Sequence, residues 1–133
     1  MKEIIYKNCK DYMLFKVKKN YDYNILFSVI PEIKIKLLEN HKTRAIIDIR
    51  SITTEIPLAD RREMAKLVTL LFDPSYKLAV LNSRRNNIKV AEQTARSAGI
   101  NMFVTYDIKK IKEWFGLNPS DWTLGLEQIS LLL

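Results

Sequence analysis

The residues best suited to chemistry stand at the ends of two apolar segments. Arg84 and Arg85 lie in the run Asn82-Ser83-Arg84-Arg85-Asn86-Asn87, directly after KLAVL, and Arg50 ends the segment Arg44–Arg50, RAIIDIR. A planar guanidinium matches phosphate or carboxylate in a fork, and asparagine and serine add neutral donors. In a sheet of parallel strands, ligands collect beyond the strand C-termini, where helix N-termini also favour anions. The expectation is an anion-accepting rim of Arg50, Asn82, Ser83, Arg84, Arg85 and Asn86. The competing expectation is a solvated loop whose arginines pair with Asp48, Asp60 or Glu63. Asp48 is the carboxylate placed at a strand end. No His, Lys or second acid stands at a recognisable spacing from it, so it is not read as catalytic. Ser51, Thr53 and Thr54 follow Arg50 and are weak phosphorylation candidates, because loop hydroxyls of this kind usually satisfy local backbone groups.

Single residues add little. Cys9 is the one cysteine and His41 the one histidine among 133 residues. A lone cysteine makes no internal disulfide, which suits a reducing compartment. Cys9 lacks a nucleophile signature and reads as a small, buried or half-buried side chain. His41 follows a helix-like run, where a polar or cationic residue suits a helix C-terminus. With one His and one Cys, no zinc site is expected, and no cofactor is called for by any motif.

Positioning those residues requires a sequence of strands and helices. Three β-branched strands are expected at Arg44–Arg50, Lys77–Ser83 and Asn101–Asp107, each followed by helical spacing. The near-continuous apolar run Ala45-Ile46-Ile47 with Ile49 belongs in a sheet covered on both faces. Upstream, Ile4–Tyr6 and Tyr12–Lys18 read as a hairpin or two edge strands. In the second of these, Phe15 and Val17 alternate with Lys16 and Lys18, as in a half-buried strand. Asp22 caps a short helical turn to Ile30, and Pro31 interrupts it. A fresh helix then runs to about Asn40, with Ile33, Leu37 and Leu38 inward, and the alternation in EIKIK makes a strand the competing reading. Pro57 opens a helix striped with Leu58, Met64, Leu67, Val68 and Leu71. Asn86 or Asn87 caps the next, which carries Ile88, Ala91, Ala95 and Ala98 and closes at Gly99. Asp107 caps a last helix with Ile108, Ile111 and Trp114 inward and Gly116 at its end.

The composition is that of an ordinary globular domain, 47% hydrophobic and 28% charged. One domain over residues 1–116 is expected, followed by an apolar extension, 117–133, packed on it or placed at a homodimer interface. No stretch approaches the roughly 20 apolar residues of a membrane-spanning helix, and the charged N-terminus does not read as a secretory signal, so the expected location is cytoplasmic. The net charge of +7 draws a protein towards anionic polymers. Its lysines are dispersed, and a solvated basic surface is the favoured reading over nucleic-acid binding. Tyr12, Phe15, Tyr21, Tyr23 and Phe27 cluster near those lysines. They read as packing first and as a base-stacking platform second.

The order of elements resembles the SpoIIAA-like family, the bacterial proteins grouped with the STAS and SEC14-like (CRAL-TRIO) folds. Three passages carry the resemblance: DYNILFSVIPEIKIKLLENHKTRAIIDIR, the amphipathic helix leading through Tyr76 into KLAVLNS, and MFVTYDIKKIKEWF. They span roughly residues 12–116, and none is a catalytic signature. The resemblance implies a mixed four- or five-stranded sheet with helices mainly on one side, in a family mostly of unknown function. In the related anti-sigma-factor antagonists a serine at a helix start, in an Asp-Ser-Ser/Thr-Gly context, is phosphorylated as a switch. Here the comparable start reads Glu55-Ile56-Pro57-Leu58-Ala59-Asp60, without serine, threonine or glycine. The switch is therefore not expected there. The SEC14-like side of the resemblance implies an apolar pocket near the first strand and helix.

The leading expectation is a non-enzymatic module binding a partner protein or a small anionic or amphipathic ligand. The alternatives are an enzyme or phosphotransfer component using Asp48, Arg84 and Arg85, and a nucleic-acid binder using the basic N-terminal hairpin.

Overall fold

Apolar residues occupy consecutive positions in the central strands, so both sheet faces must be covered. The computed structural model describes residues 4–18, 23–83 and 89–116. These form a five-stranded mixed sheet and four helices in the order β1 (Ile4–Asn8), β2 (Met13–Val17), α1 (Tyr23–Glu39), β3 (Arg44–Asp48), α2 (Leu58–Leu71), β4 (Lys77–Leu81), α3 (Lys89–Ser97), β5 (Asn101–Thr105) and α4 (Ile108–Phe115). The expected extension, 117–133, lies outside the described residues, as do Arg84, Arg85 and Asn86.

Strand order across the sheet is the order in the chain, β1-β2-β3-β4-β5. The hairpin β1–β2 is antiparallel and every later pair is parallel. Crossovers between parallel strands are right-handed. With each crossover stepping the same way, α1, α2 and α3 must fall on one face. They do: Val29, Ile33, Met64, Val68, Ala91 and Ala95 share a core with Met13, Phe15, Ala45 and Leu78. α4 turns to the other face, where Ile111 and Phe115 pack on Tyr12, Leu14, Ile46 and Ala79. An eight-residue helix is unstable alone. α4 is held by those two buried side chains, by an Asp107 cap on the Lys109 N–H, and by Gly116 in the left-handed region at φ 66°.

Four local expectations need correction. Pro31 does not divide two helices, because α1 runs unbroken for 17 residues through it. The proline forfeits one backbone bond, but Val29, Ile33 and Leu37 lie one turn apart and are all buried on the sheet, so packing carries the helix past it. Leu38 is 56% exposed rather than inward, since a stripe centred on Ile33 and Leu37 leaves it on the flank. Ala98 is also exposed, one residue beyond the end of α3. Finally, β2 is buried along its whole length, Lys16 included, because it is an interior strand and α4 and its neighbours cover the second face.

Helix α1 ends in a paired closure that the sequence only hinted at. The His41 N–H donates to the Leu38 carbonyl and the Lys42 N–H to the Leu37 carbonyl. His41 itself sits at φ 54°. This is a Schellman closure with histidine in the left-handed position usually given to glycine.

Candidate functional site at the strand ends

The parallel register places Lys16 beside Asp48, Asp48 beside Leu81, and Leu81 beside Thr105. These four form one row across the C-terminal end of the sheet, on the face that carries α4. All four are buried, Lys16 at 6% and Asp48 at 3% exposure. A lysine and an aspartate this deep require a partner, since an isolated buried charge is very costly.

Asp48 has that partner in Arg50. The Arg50 Nε donates to Asp48 Oδ1 at 3.0 Å and its terminal nitrogen to Oδ2 at 2.8 Å, while the Arg50 backbone N–H donates to Oδ1 at 3.0 Å. Such a fork is among the stronger ion-pair geometries. The Lys16 ammonium stands 3.8 Å from Asp48 Oδ2 and donates to Ser51 Oγ at 3.0 Å. The result is one carboxylate set between two cations, tying β2, β3 and the loop after β3 together.

The remaining rim residues are held mainly by backbone. The Asn82 N–H donates to the Thr105 carbonyl at 2.9 Å, extending the β4–β5 ladder by a rung. Asn82 is buried. Ser83 Oγ donates to the Ile52 carbonyl at 3.3 Å, linking the exits of β4 and β3. Thr105 Oγ1 accepts the Asp107 N–H at 3.0 Å. Of the weak phosphorylation candidates, Thr53 and Thr54 are exposed, whereas Ser51 is half-buried and engaged by Lys16. The structure thus joins Arg50 to Asp48 and places Asn82 and Ser83 on the neighbouring strand exit.

Sequence reasoning missed Lys16. It read as an outward lysine in an alternating strand. The signal that finds it is the pairing of β2 with β3, which sets it opposite Asp48. No family model and no curated protein matches the chain.

Two other expectations are now placed. Tyr12 and Phe15 are each 1% exposed and pack into opposite cores, so they offer no face for a base to stack on. Phe27 is partly buried against the first core, Tyr21 lies outside the described residues, and Tyr23 opens α1. Cys9 is half-buried, and burial pushes its thiol up against the opposing pull of Lys7. A thiol held protonated is a poor nucleophile. Among the described residues no group of three or more His, Cys, Asp and Glu gathers as a metal site, and no helix is long and apolar enough to cross a membrane.

Proposed function

We propose that this chain is a SpoIIAA-like, STAS/SEC14-like module that acts by binding rather than by catalysis. Its ligand is a small anionic or amphipathic molecule, or a partner protein, met at the strand-end edge. The observation that carries this reading is the engagement of Asp48. The carboxylate best placed for chemistry is clamped by Arg50 and flanked by Lys16. A general base needs an acceptor aimed at its proton, and three of this carboxylate's roughly four acceptor sites are taken by Arg50. The element order, with three helices on one face and the sheet wound in chain order, supports the family reading. Asn82 and Ser83, which precede Arg84 and Arg85 in the chain, leave β4 at the same edge.

The test is a thermal-shift screen of nucleotides, short and long carboxylates and anionic lipids, run beside pull-downs from lysate. A ligand that raises Tm and loses its effect in Arg84→Ala/Arg85→Ala supports the reading. Turnover that survives purification and disappears in Asp48→Asn would sink it in favour of the enzymatic alternative.

A further inference from the structure

A cleft of about 240 Å³ lies at the opposite end of the sheet from the strand-end rim, lined by Arg96, Gly99, Ile100, Asn101 and Trp114. Asn101 opens β5, and the register sets it beside Lys77, the first residue of β4. Arg96 stands in the last turn of α3, on one face of the sheet, and Trp114 stands on α4, on the other. The cleft therefore wraps the outer edge of β5, with a wall from each helix layer.

That wall is fixed in advance. Arg96 Nε donates to the Met102 carbonyl at 2.7 Å. The bond holds the guanidinium plane and leaves its terminal nitrogens without a partner among the described residues. Trp114 packs on Phe103 with ring centroids 5.4 Å apart and on Phe115 at 5.5 Å. Asn101 Nδ2 donates to the Pro74 carbonyl at 2.8 Å, tying the start of β5 to the loop before β4. A donor held in place before binding loses less freedom when a ligand arrives.

The charge here has one sign. No carboxylate lines the cleft, and Lys77 Nζ lies 5.5 Å from the Trp114 ring centroid. Among the described residues neither Arg96 nor Lys77 belongs to an ion pair, whereas Lys36, Arg61, Lys66 and Lys89 each do. A guanidinium fork takes a carboxylate through two parallel bonds, and an indole takes a flat ring by stacking or edge contact. A hole of about 150 Å³ takes benzene, so this cleft has room for one ring and its acid group.

We propose that the cleft binds a single-ring aromatic carboxylate, its acid group on the terminal nitrogens of Arg96 and its ring against Trp114. Lys77 adds attraction from beside the ring. The site is separate from the strand-end reading above, and either can fail without the other.

The test uses the full chain with Trp122→Phe, which leaves Trp114 as the one tryptophan. Its indole N–H signal is followed by NMR during titration with benzoate, cyclohexanecarboxylate, benzyl alcohol and inorganic phosphate. Benzoate is expected to shift that signal saturably at low millimolar concentration, with the other three probes at least about tenfold weaker for the neutral alcohol and several-fold weaker for the rest. Arg96→Gln keeps an amide donor for the Met102 carbonyl. It is expected to weaken benzoate about tenfold or more with little change in Tm. Should that variant fail to fold, Lys77→Gln is expected to weaken benzoate about two- to fivefold. An Arg96 that only caps the sheet edge would lower Tm in the variant and leave benzoate affinity unchanged, which would overturn the proposal. So would a Trp114 signal unmoved by benzoate at tens of millimolar. Benzyl alcohol binding as tightly as benzoate would overturn the role of charge. Cyclohexanecarboxylate or phosphate matching benzoate would overturn the aromatic class.

Discussion

The carboxylate of Asp48 accepts three hydrogen bonds from Arg50, and a buried charge held in this way is costlier to orphan than to replace. Truncating one partner of a buried ion pair typically costs about 3–5 kcal/mol, while an apolar replacement of the whole pair is often neutral. Asp48→Ala strands Lys16 at 7% side-chain exposure and should cost about 3 kcal/mol in urea denaturation. Arg50→Ala should cost less, because a third of its side chain meets solvent. Lys16→Met with Asp48→Leu should recover most of the loss. A cost below about 1 kcal/mol for Asp48→Ala would mean the pair is not structural, and Asp48 would return as a candidate for chemistry. His41 provides the opposite kind of test. A side chain in the left-handed region costs about 1–2 kcal/mol, and glycine removes that strain while adding unfolded-state entropy. His41→Gly should therefore stabilise by about 0.5–1 kcal/mol, read as a rise in Tm, and His41→Val should destabilise. Arg50 beside Asp48 was legible as a short spacing at a strand end. The left-handed histidine was not, since LLENHKT reads as a helix end without fixing which residue turns.

Strand β5 closes the sheet, and its outer edge would present free backbone groups to any extended chain. Helix α3 covers it with a row of side chains. Glu92 accepts the Val104 N–H at 2.5 Å, Lys89 donates to the Val104 carbonyl at 2.7 Å, and Arg96 Nε donates to the Met102 carbonyl at 2.7 Å. Positions 89, 92 and 96 share one helix face, and Met102 and Val104 are alternate residues whose backbone groups point outward. The three side chains thus stand where a sixth strand would pair. Glu92→Ala should expose the Val104 N–H, cost about 1–3 kcal/mol and move the protein towards larger species with rising concentration. Glu92→Gln keeps an acceptor and should stay near wild type in light scattering. Equal behaviour of the two variants would show that the cap does not protect the edge. Helical spacing located α3, but its polar face gave no hint of this role, because the partner backbone lies on a strand that follows the helix. The continuity of α1 through Pro31 was hidden for a similar reason. Propensity argues for a break, and only the burial of Val29, Ile33 and Leu37 on the sheet overrides it.

At the scale of the molecule, the strand–helix alternation from Arg44 to Phe115 was readable because each strand is apolar on both faces and each helix on one. Right-handed crossovers then settle where three helices lie once the strand order is known. What stayed hidden was everything depending on neighbours far apart in the chain: Lys16 against Asp48, the cleft between Arg96 and Trp114, and the cover on β5. The same distinction bears on the net charge of +7. The basic hairpin reads first as a solvated surface and second as a polyanion site; Lys16 is buried in an ion pair, leaving Lys7, Lys10 and Lys18 exposed among its described residues. Each phosphate neutralised by a cation contributes a slope of about −0.9 to log K against log salt. These three cations predict a slope of about −2.7 on duplex DNA, so affinity should fall roughly 40-fold between 50 and 200 mM salt. With Tyr12 and Phe15 buried, single strands should bind no tighter than duplex. Fluorescence anisotropy with labelled duplex and single-stranded oligonucleotides across salt reads both quantities. A steeper slope, or a preference for one sequence, would show a built nucleic-acid interface and displace the ligand-binding reading proposed above. A shallow, sequence-blind response leaves the lysines as a solvated surface.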